Sequence, residues 1–268
     1  MDRNRIAPQD EAVLELAIRC AKGAGEIQRD RYETDISIRT KSAHIDLVTE
    51  VDHACEELIV AAIEKDRPED AILAEEGGGQ ERADSDWRWV VDPLDGTTNY
   101  AHGFPRFCVS IGVEFRGKTQ VGVVYDPLLD ELFYSVKGSG AWLGERKLKV
   151  SSTSVFNQAL IATGFAYDVH KSPSDNIERF ARVLKSARGL RRDGSAALDL
   201  CYVAAGRLDA YWELKLHAWD VSAGSLIVQE AGGTVTNCTG GPAPLTGEEL
   251  VSSNGLLHET LISLVQDQ

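Results

Sequence analysis

The sequence predicts an α+β fold in which two halves share layered sheets, and three patterns carry that expectation. Helical periodicity dominates residues 12–65, alternation broken by turns runs from Cys108 to Val150, and short strands then alternate with helices. The change of pattern near Val150–Ser152 separates residues 1–150 from residues 151–268. No Pro/Gly-rich tract lies between them, so the two parts are expected to form one compact unit.

From Ala12 to Arg31, apolar residues fall at positions 13, 14, 17, 18, 21, 24 and 27, one face of a helix. A short strand, Ile36–Thr40, and a polar segment, KSAHID, follow. Thr49 and Asp52 have the spacing of a capping box at the head of a second helix, from about Glu50 to Lys65. The apolar runs Ala71–Ala74 and Trp87–Val91 read as strands that end in acidic residues. Residues 108–150 read as an antiparallel meander of three or four strands. The second half gives strand ALIATG, a helix from about Ser174 to Ala187, GLRRDG, a helix from Ser195 to Ala205 and strand LDAYWEL. A helix from Asp220 to Ala231, strand GTVTN and a last helix from Leu256 complete it.

Composition excludes several classes. The 268 residues are 43% hydrophobic and 26% charged, close to the globular average, which argues against disorder. The longest apolar runs, Leu58–Ile63 and Leu200–Ala205, fall far short of the ~20 residues of a membrane helix. The start, MDRNRIAPQDEAV, has no apolar core, so no signal peptide is expected. Five scattered cysteines, with no CxxC, point to buried thiols in a reducing, cytoplasmic setting. A net charge of −14 opposes nucleic acid. An acidic chain can still take an anionic substrate if metal ions supply the positive charge.

The chemistry concentrates in WVVDPLDGTTNY, residues 89–100. Pro93 fixes a turn that lets Asp92 and Asp95 face one point at a strand end, and Gly96-Thr97-Thr98 offers amides and hydroxyls suited to a phosphate. An ordinary Asp-Gly turn is the bland alternative. Glu75-Glu76 ends the preceding strand, seventeen positions before Asp92, as a neighbouring ligand or as part of a solvated acidic loop. Asp220 opens a helix, where it is either a functional carboxylate or an N-cap. Glu75, Asp92, Asp95 and Asp220 are all oxygen donors with no His or Cys spaced beside them. That favours Mg²⁺ or Mn²⁺ over softer metals. No nucleophilic triad, Rossmann or P-loop spacing is present.

DLVTEVD (46–52), AEEGG (74–78), VDPLDGTTNY (91–100) and WDVSAGSLIVQEAGG (219–233) resemble the inositol monophosphatase family of Mg²⁺-dependent, lithium-sensitive phosphatases. The resemblance spans nearly the whole chain in motif order. It implies a layered α/β/α/β/α sandwich of the inositol monophosphatase/fructose-1,6-bisphosphatase type, usually a homodimer, with two or three Mg²⁺ ions between the halves.

By position, the resemblance makes Glu75 a ligand shared by the metals and the attacking water, and Asp92 a bridge between two ions. The carbonyl of Leu94, with Asp95 and Asp220, completes the metal set. Thr97 would orient the water with support from Asp46, while the amides of Gly96 and Thr97 hold the phosphate. The reaction implied is in-line displacement by an activated water, without a phospho-enzyme.

RRDGSAALDL (191–200) resembles the sugar-side loop, where Gly194, Ser195 and Ala196 would face a polyol and Glu213 would accept one of its hydroxyls. The bland readings are a helix N-cap for Ser195 and a solvated strand end for Glu213. Asp193 departs from the apolar residue expected there. Inositol 1-phosphate is the expected substrate. Fructose 1,6-bisphosphate, histidinol phosphate and 3′-phosphoadenosine 5′-phosphate are rivals within the fold, and a regulatory interaction protein is the alternative of another class.

Overall fold

Helix α1 (Pro8–Arg31) starts ahead of the periodic stretch because Pro, with its fixed φ, suits the first helical turn. Asp10 and Glu11 in its first turn and Arg29 and Arg31 in its last complement the helix dipole. The structure, a computed structural model, describes residues 7–41 and 45–266. The first residues of the chain and residues 42–44 of the KSAHID segment lie outside the described residues.

Strands β1 (Ile38–Thr40) and β2 (Leu47–Thr49) form a small antiparallel hairpin. It leads directly into α2 (Glu50–Asp66), whose capping box is complete. Val51 N donates to Thr49 Oγ1 at 3.1 Å, and Thr49 N donates to Asp52 Oδ2 at 2.8 Å.

The larger sheet has seven strands in chain order: β3 (Ala71–Ala74), β4 (Trp87–Asp95), β5 (Cys108–Phe115), β6 (Lys118–Asp126), β7 (Glu131–Val136), β8 (Ala141–Leu143) and β9 (Arg146–Lys147). Only the β3–β4 pair is parallel. The meander after Cys108 therefore has five strands, more than the pattern predicts, because β8 and β9 are too short to show alternation.

The smaller sheet runs β11–β10–β12–β14–β13, built from β10 (Leu160–Thr163), β11 (Gly189–Arg191), β12 (Ala210–Leu214), β13 (Thr234–Thr236) and β14 (Glu249–Ser253). Strand β14 has no counterpart in the sequence reading. It pairs antiparallel with β12 and β13. Its Ser252 and Ser253 are fully buried, so small polar residues stand where an apolar run would mark a central strand.

Five layers result. Helices α1 and α2 cover one face of the larger sheet. Helices α5 (Ala196–Ala204) and α6 (Ala218–Glu230) fill the space between the two sheets. Helices α4 (Ile177–Ser186) and α7 (His258–Val265) close the outer face of the smaller sheet. This is the α/β/α/β/α sandwich the resemblance implies. All five cysteines are buried and free, and no described helix is long and apolar enough to cross a membrane.

Close packing seats α6 on the larger sheet. A Cβ at Gly112 on β5 would overlap the Ser222 side chain of α6, and Ser110 Oγ donates to Trp219 O at 3.2 Å. Gly112→Ala is expected to lower stability by about 1–3 kcal/mol, the usual cost of overpacking a filled core. Urea unfolding checks it, and an unchanged midpoint would show slack between α6 and the sheet.

Candidate metal centre and substrate cavity

Asp92 and Asp95 stand three apart on β4, and in a regular strand such residues point to opposite faces. Pro93 prevents that. It has no N–H for the ladder, and the pairing with β5 slips between Asp92, opposite Ser110, and Asp95, opposite Cys108. The bulge turns both carboxylates to one side. Buried Gln28 of α1 holds the turn, donating from Nε2 to Pro93 O at 2.8 Å. Leu94 N donates to Asp92 Oδ1 at 3.0 Å.

Parallel pairing of β3 with β4 sets Ala74 beside Val91 and brings Glu75 to the same edge, its amide donating to Val91 O at 3.2 Å. The turn after it is fixed by Glu56 of α2, which accepts from Glu76 N at 2.8 Å and Gly78 N at 2.7 Å. Asp220 arrives from the other side, at the head of α6. It is not the N-cap. The helix begins at Ala218 with His217 as N-cap, and Asp220 Oδ2 accepts from His217 N at 2.6 Å.

Ligand oxygens of Asp92, Asp95 and Asp220 lie within 4.8 Å of one another. Burial, then Glu75, Asp95 and Asp220, push the Asp92 carboxyl far above its usual range. Burial and neighbouring Asp95 do the same to Asp220. Asp95 is pushed up to about 6 by burial, despite hydrogen bonds from Ser195 and Ala197 that pull it down. Like charges this close, in a buried place, are stable only with protons or a cation between them. An all-oxygen donor set of this density fits a hard divalent cation. Lys41 already supplies one positive charge at the edge, donating to Glu75 Oε1 at 2.8 Å and also to Glu76.

The cluster forms one end of a cavity of about 420 Å³, within the roughly 300–1,000 Å³ of small-molecule sites. Asp46, Glu75, Asp92, Leu94, Asp95, Gly96, Thr97, Gly194, Ala196, Glu213 and Asp220 all line it. Ser195 does not. Its side chain is buried behind the wall against Asp95, so it is not placed to face a polyol. Asp193 is also absent from the lining, and its backbone carbonyl accepts from Asn99 Nδ2 at 2.7 Å. Glu213 is not a solvated strand end: it accepts from Tyr211 OH at 2.6 Å, and burial pushes its carboxyl up to about 7.

Thr97 opens the short helix α3 (Thr97–Ala101) behind Gly96, whose φ of +97° only glycine adopts readily. The Thr97 hydroxyl donates to Asp52 Oδ1 at 2.9 Å and approaches Leu94 O at 3.0 Å. Asp52 is thus a site residue that the sequence shows only as a helix cap. One oxygen caps α2 and the other holds Thr97. Asp46 is buried and lines the same cavity. Thr98 also lines it, with a buried hydroxyl that has no partner among the described residues. The GTTN run is the signal for Thr98, whereas no spacing rule points to Gln28, Glu56 or Lys41.

The profile of the inositol monophosphatase family matches residues 9–268. The chain belongs to the inositol monophosphatase family. It is 43% identical over 264 residues to Nus factor SuhB of Pseudomonas aeruginosa, covering 96% of each chain. The structure of inositol monophosphatase from Anabaena (Nostoc) is similar at a TM-score of 0.86 and 40% identity, covering 95% of each chain. A Staphylococcus aureus inositol monophosphatase II, solved with inositol monophosphate bound, is 31% identical at a TM-score of 0.80, covering 94% of this chain and 92% of its own. The family typically uses Mg²⁺, and the acidic cluster lining the cavity is an all-oxygen donor set that fits such an ion.

The raised carboxyls have a signed consequence. With folded-state values above the unfolded one, from near 3.8 to about 6 for Asp95, the cation-free folded chain binds more protons than the unfolded chain in that window. The cluster's contribution to stability therefore falls as pH rises through it. In EDTA, Asp95→Asn is expected to melt higher than the wild type at pH 7.5, with the gap narrowing at pH 5. Mg²⁺ at pH 7.5 should raise the wild-type melting temperature more than that of the variant. Equal gaps at both pH values would refute this assignment of the repulsion.

Proposed function

We propose that this chain hydrolyses a phosphate monoester in a Mg²⁺-dependent reaction, with myo-inositol 1-phosphate giving inositol and phosphate. The observation that carries the proposal is the convergence of Asp92, Asp95 and Asp220 in a cavity that Glu213 also lines. Glu75, Asp92, Asp95, Asp220 and the Leu94 carbonyl would hold two or three Mg²⁺ ions, or Mn²⁺ in their place. Such ions supply Lewis-acid polarisation of the phosphoryl group and a more acidic water.

The chain's own residues do the rest. Thr97, fixed by Asp52, orients the attacking water together with Asp46. The amides of Gly96 and Thr97 and the Thr98 hydroxyl, which has no partner among the described residues, receive the phosphate oxygens. Gly194 and Ala196 wall the organic part of the substrate, and Glu213 accepts a hydroxyl from it. The bound inositol monophosphate of the Staphylococcus aureus relative supports a polyol in this place. Lithium inhibition, a homodimer and a cytoplasmic location belong to the same reading.

A second reading is favoured by one observation, the name Nus factor SuhB carried by relatives at 42–43% identity. In it the chain serves a protein partner, with or without catalysis. The net charge of −14 argues against direct contact with nucleic acid.

Phosphate release from inositol 1-phosphate, fructose 1,6-bisphosphate, histidinol phosphate and 3′-phosphoadenosine 5′-phosphate separates these readings. The proposal expects turnover led by inositol 1-phosphate, abolished by EDTA and inhibited by Li⁺. A different leading substrate overturns the inositol assignment, and no turnover on any of them favours the second reading. Asp92→Asn is expected to lose activity on the order of 10²–10³-fold or more, as when a major electrostatic contact to the transition state is removed. Thr97→Ser should lose far less.

Glu213→Gln tests the wall separately. It is expected to raise KM for inositol 1-phosphate by roughly tenfold or more, the worth of a hydrogen bond to a charged group. Hydrolysis of p-nitrophenyl phosphate, which has no polyol, should be nearly unchanged. Equal losses on both substrates would place Glu213 in the reaction itself.

A further inference from the structure

Ser195 is 1% exposed and stands at the N-cap position of α5, yet its hydroxyl makes no bond to the helix it heads. It donates instead to Asp95 Oδ2 at 2.7 Å. The amide of Ala197 reaches the same oxygen at 2.8 Å, and Cys108 Sγ lies 3.7 Å from it. Two strong donors and one weak one thus converge on Oδ2, and the Ala196 amide also bonds the carboxylate. With Oδ2 so engaged, one-oxygen cation binding falls to Oδ1.

The same segment forms the cavity wall. Gly194 and Ala196, on either side of Ser195, line the cavity. Asn99 Nδ2 donates to Asp193 O at 2.7 Å and also reaches Arg106 O at 2.7 Å, tying the loop to the segment after α3. The wall is therefore tied at two places, to Asn99 of α3 and to Asp95 at the end of β4. One of them is a carboxylate of the metal cluster.

We infer that Ser195 is a positioning residue whose hydroxyl fixes Asp95 for one-oxygen cation binding and locks residues 192–196 onto the cluster, linking metal loading to the wall that reads the organic part of the substrate. This rests on Asp95 being a metal ligand, as proposed above. Ser195 itself touches neither substrate nor cation. Without its hydroxyl the Asp95 carboxylate keeps the amides of Ala197 and Ala196 but loses its strong side-chain donor. Groups that orient a metal ligand typically account for 10–100-fold in affinity.

The test is a titration of Mn²⁺ against the full chain, without substrate, read by the electron paramagnetic resonance of free Mn²⁺. Ser195→Ala is expected to weaken one class of sites about tenfold, while Ser195→Thr, which keeps the hydroxyl and suits the extended backbone at φ −141° and ψ 103°, restores it. At saturating Mg²⁺ the remaining defect of Ser195→Ala should lie in KM for the leading panel substrate and not in kcat for p-nitrophenyl phosphate. Melting curves in EDTA confirm that both variants fold.

Coincident Mn²⁺ isotherms for wild type and Ser195→Ala, with Asp95→Asn weakened, would overturn the role of Ser195 alone. A folded Ser195→Thr as weak as Ser195→Ala would also overturn it, since packing rather than the hydroxyl would then matter. If Asp95→Asn binds Mn²⁺ like the wild type, the metal reading of Asp95 falls, and this inference with it.

Discussion

Mutual repulsion among Glu75, Asp92, Asp95 and Asp220 is the constraint to which much of the structure answers. Burial and the neighbouring acids raise the proton affinity of Asp92, Asp95 and Asp220, and a flexible chain would relax by moving these groups apart. Here they cannot separate. Two come from one strand across a bulge, one from the strand paired in parallel beside it, and one from a helix pressed onto the same sheet at Gly112. Around them stand groups whose role is to hold position: Gln28 behind Pro93, Glu56 beneath the 76–78 turn and His217 N on Asp220. Preorganisation of this kind costs stability in the free protein and is recovered when a cation binds.

The layered fold explains why the site lies where it does. Helix α6 is central, packing against the larger sheet on one side and meeting β13 and β14 of the smaller sheet. Its first turn delivers Asp220 to the end of β4 while its body fills the second core. Neighbouring α5 lines the same cavity with Ala196 and gives Ala197 N to Asp95. The carboxylates of the cluster therefore sit on strand ends and a helix start, elements suited to holding a site precisely, while the loop before α5 forms part of the cavity wall.

Much of this was legible in the sequence, for physical reasons that differ by residue. Carboxylates at strand ends are visible because an apolar run stops at them, as at Ala74-Glu75 and Val91-Asp92. The capping box at Thr49 and Asp52 is visible because its spacing is local. Side chains whose roles depend on contacts distant in sequence were not legible. Gln28 reads as one more polar residue on α1, and only the fold carries it 65 positions along the chain to Pro93. Ser195 reads as a helix cap or a polyol contact, and its partner lies 100 positions away. Strand β14 escaped because it ends in two serines that the sheet buries, which cuts its apolar run to Leu250-Val251.

The cluster also bears on the choice between catalysis and a purely regulatory role. Replacing buried, mutually repelling carboxylates by neutral amides of the same shape would remove an electrostatic penalty from the cation-free chain. A protein selected only for its outer surface would gain stability from such a change and lose nothing. Yet the acids are all present, together with the buried groups that aim them and a cavity of about 420 Å³ beside them. Structural elements that cost stability and are nevertheless braced from several directions are those expected at a working site. The intact cluster therefore supports the proposed phosphatase, with a regulatory role framed as a second use of the surface.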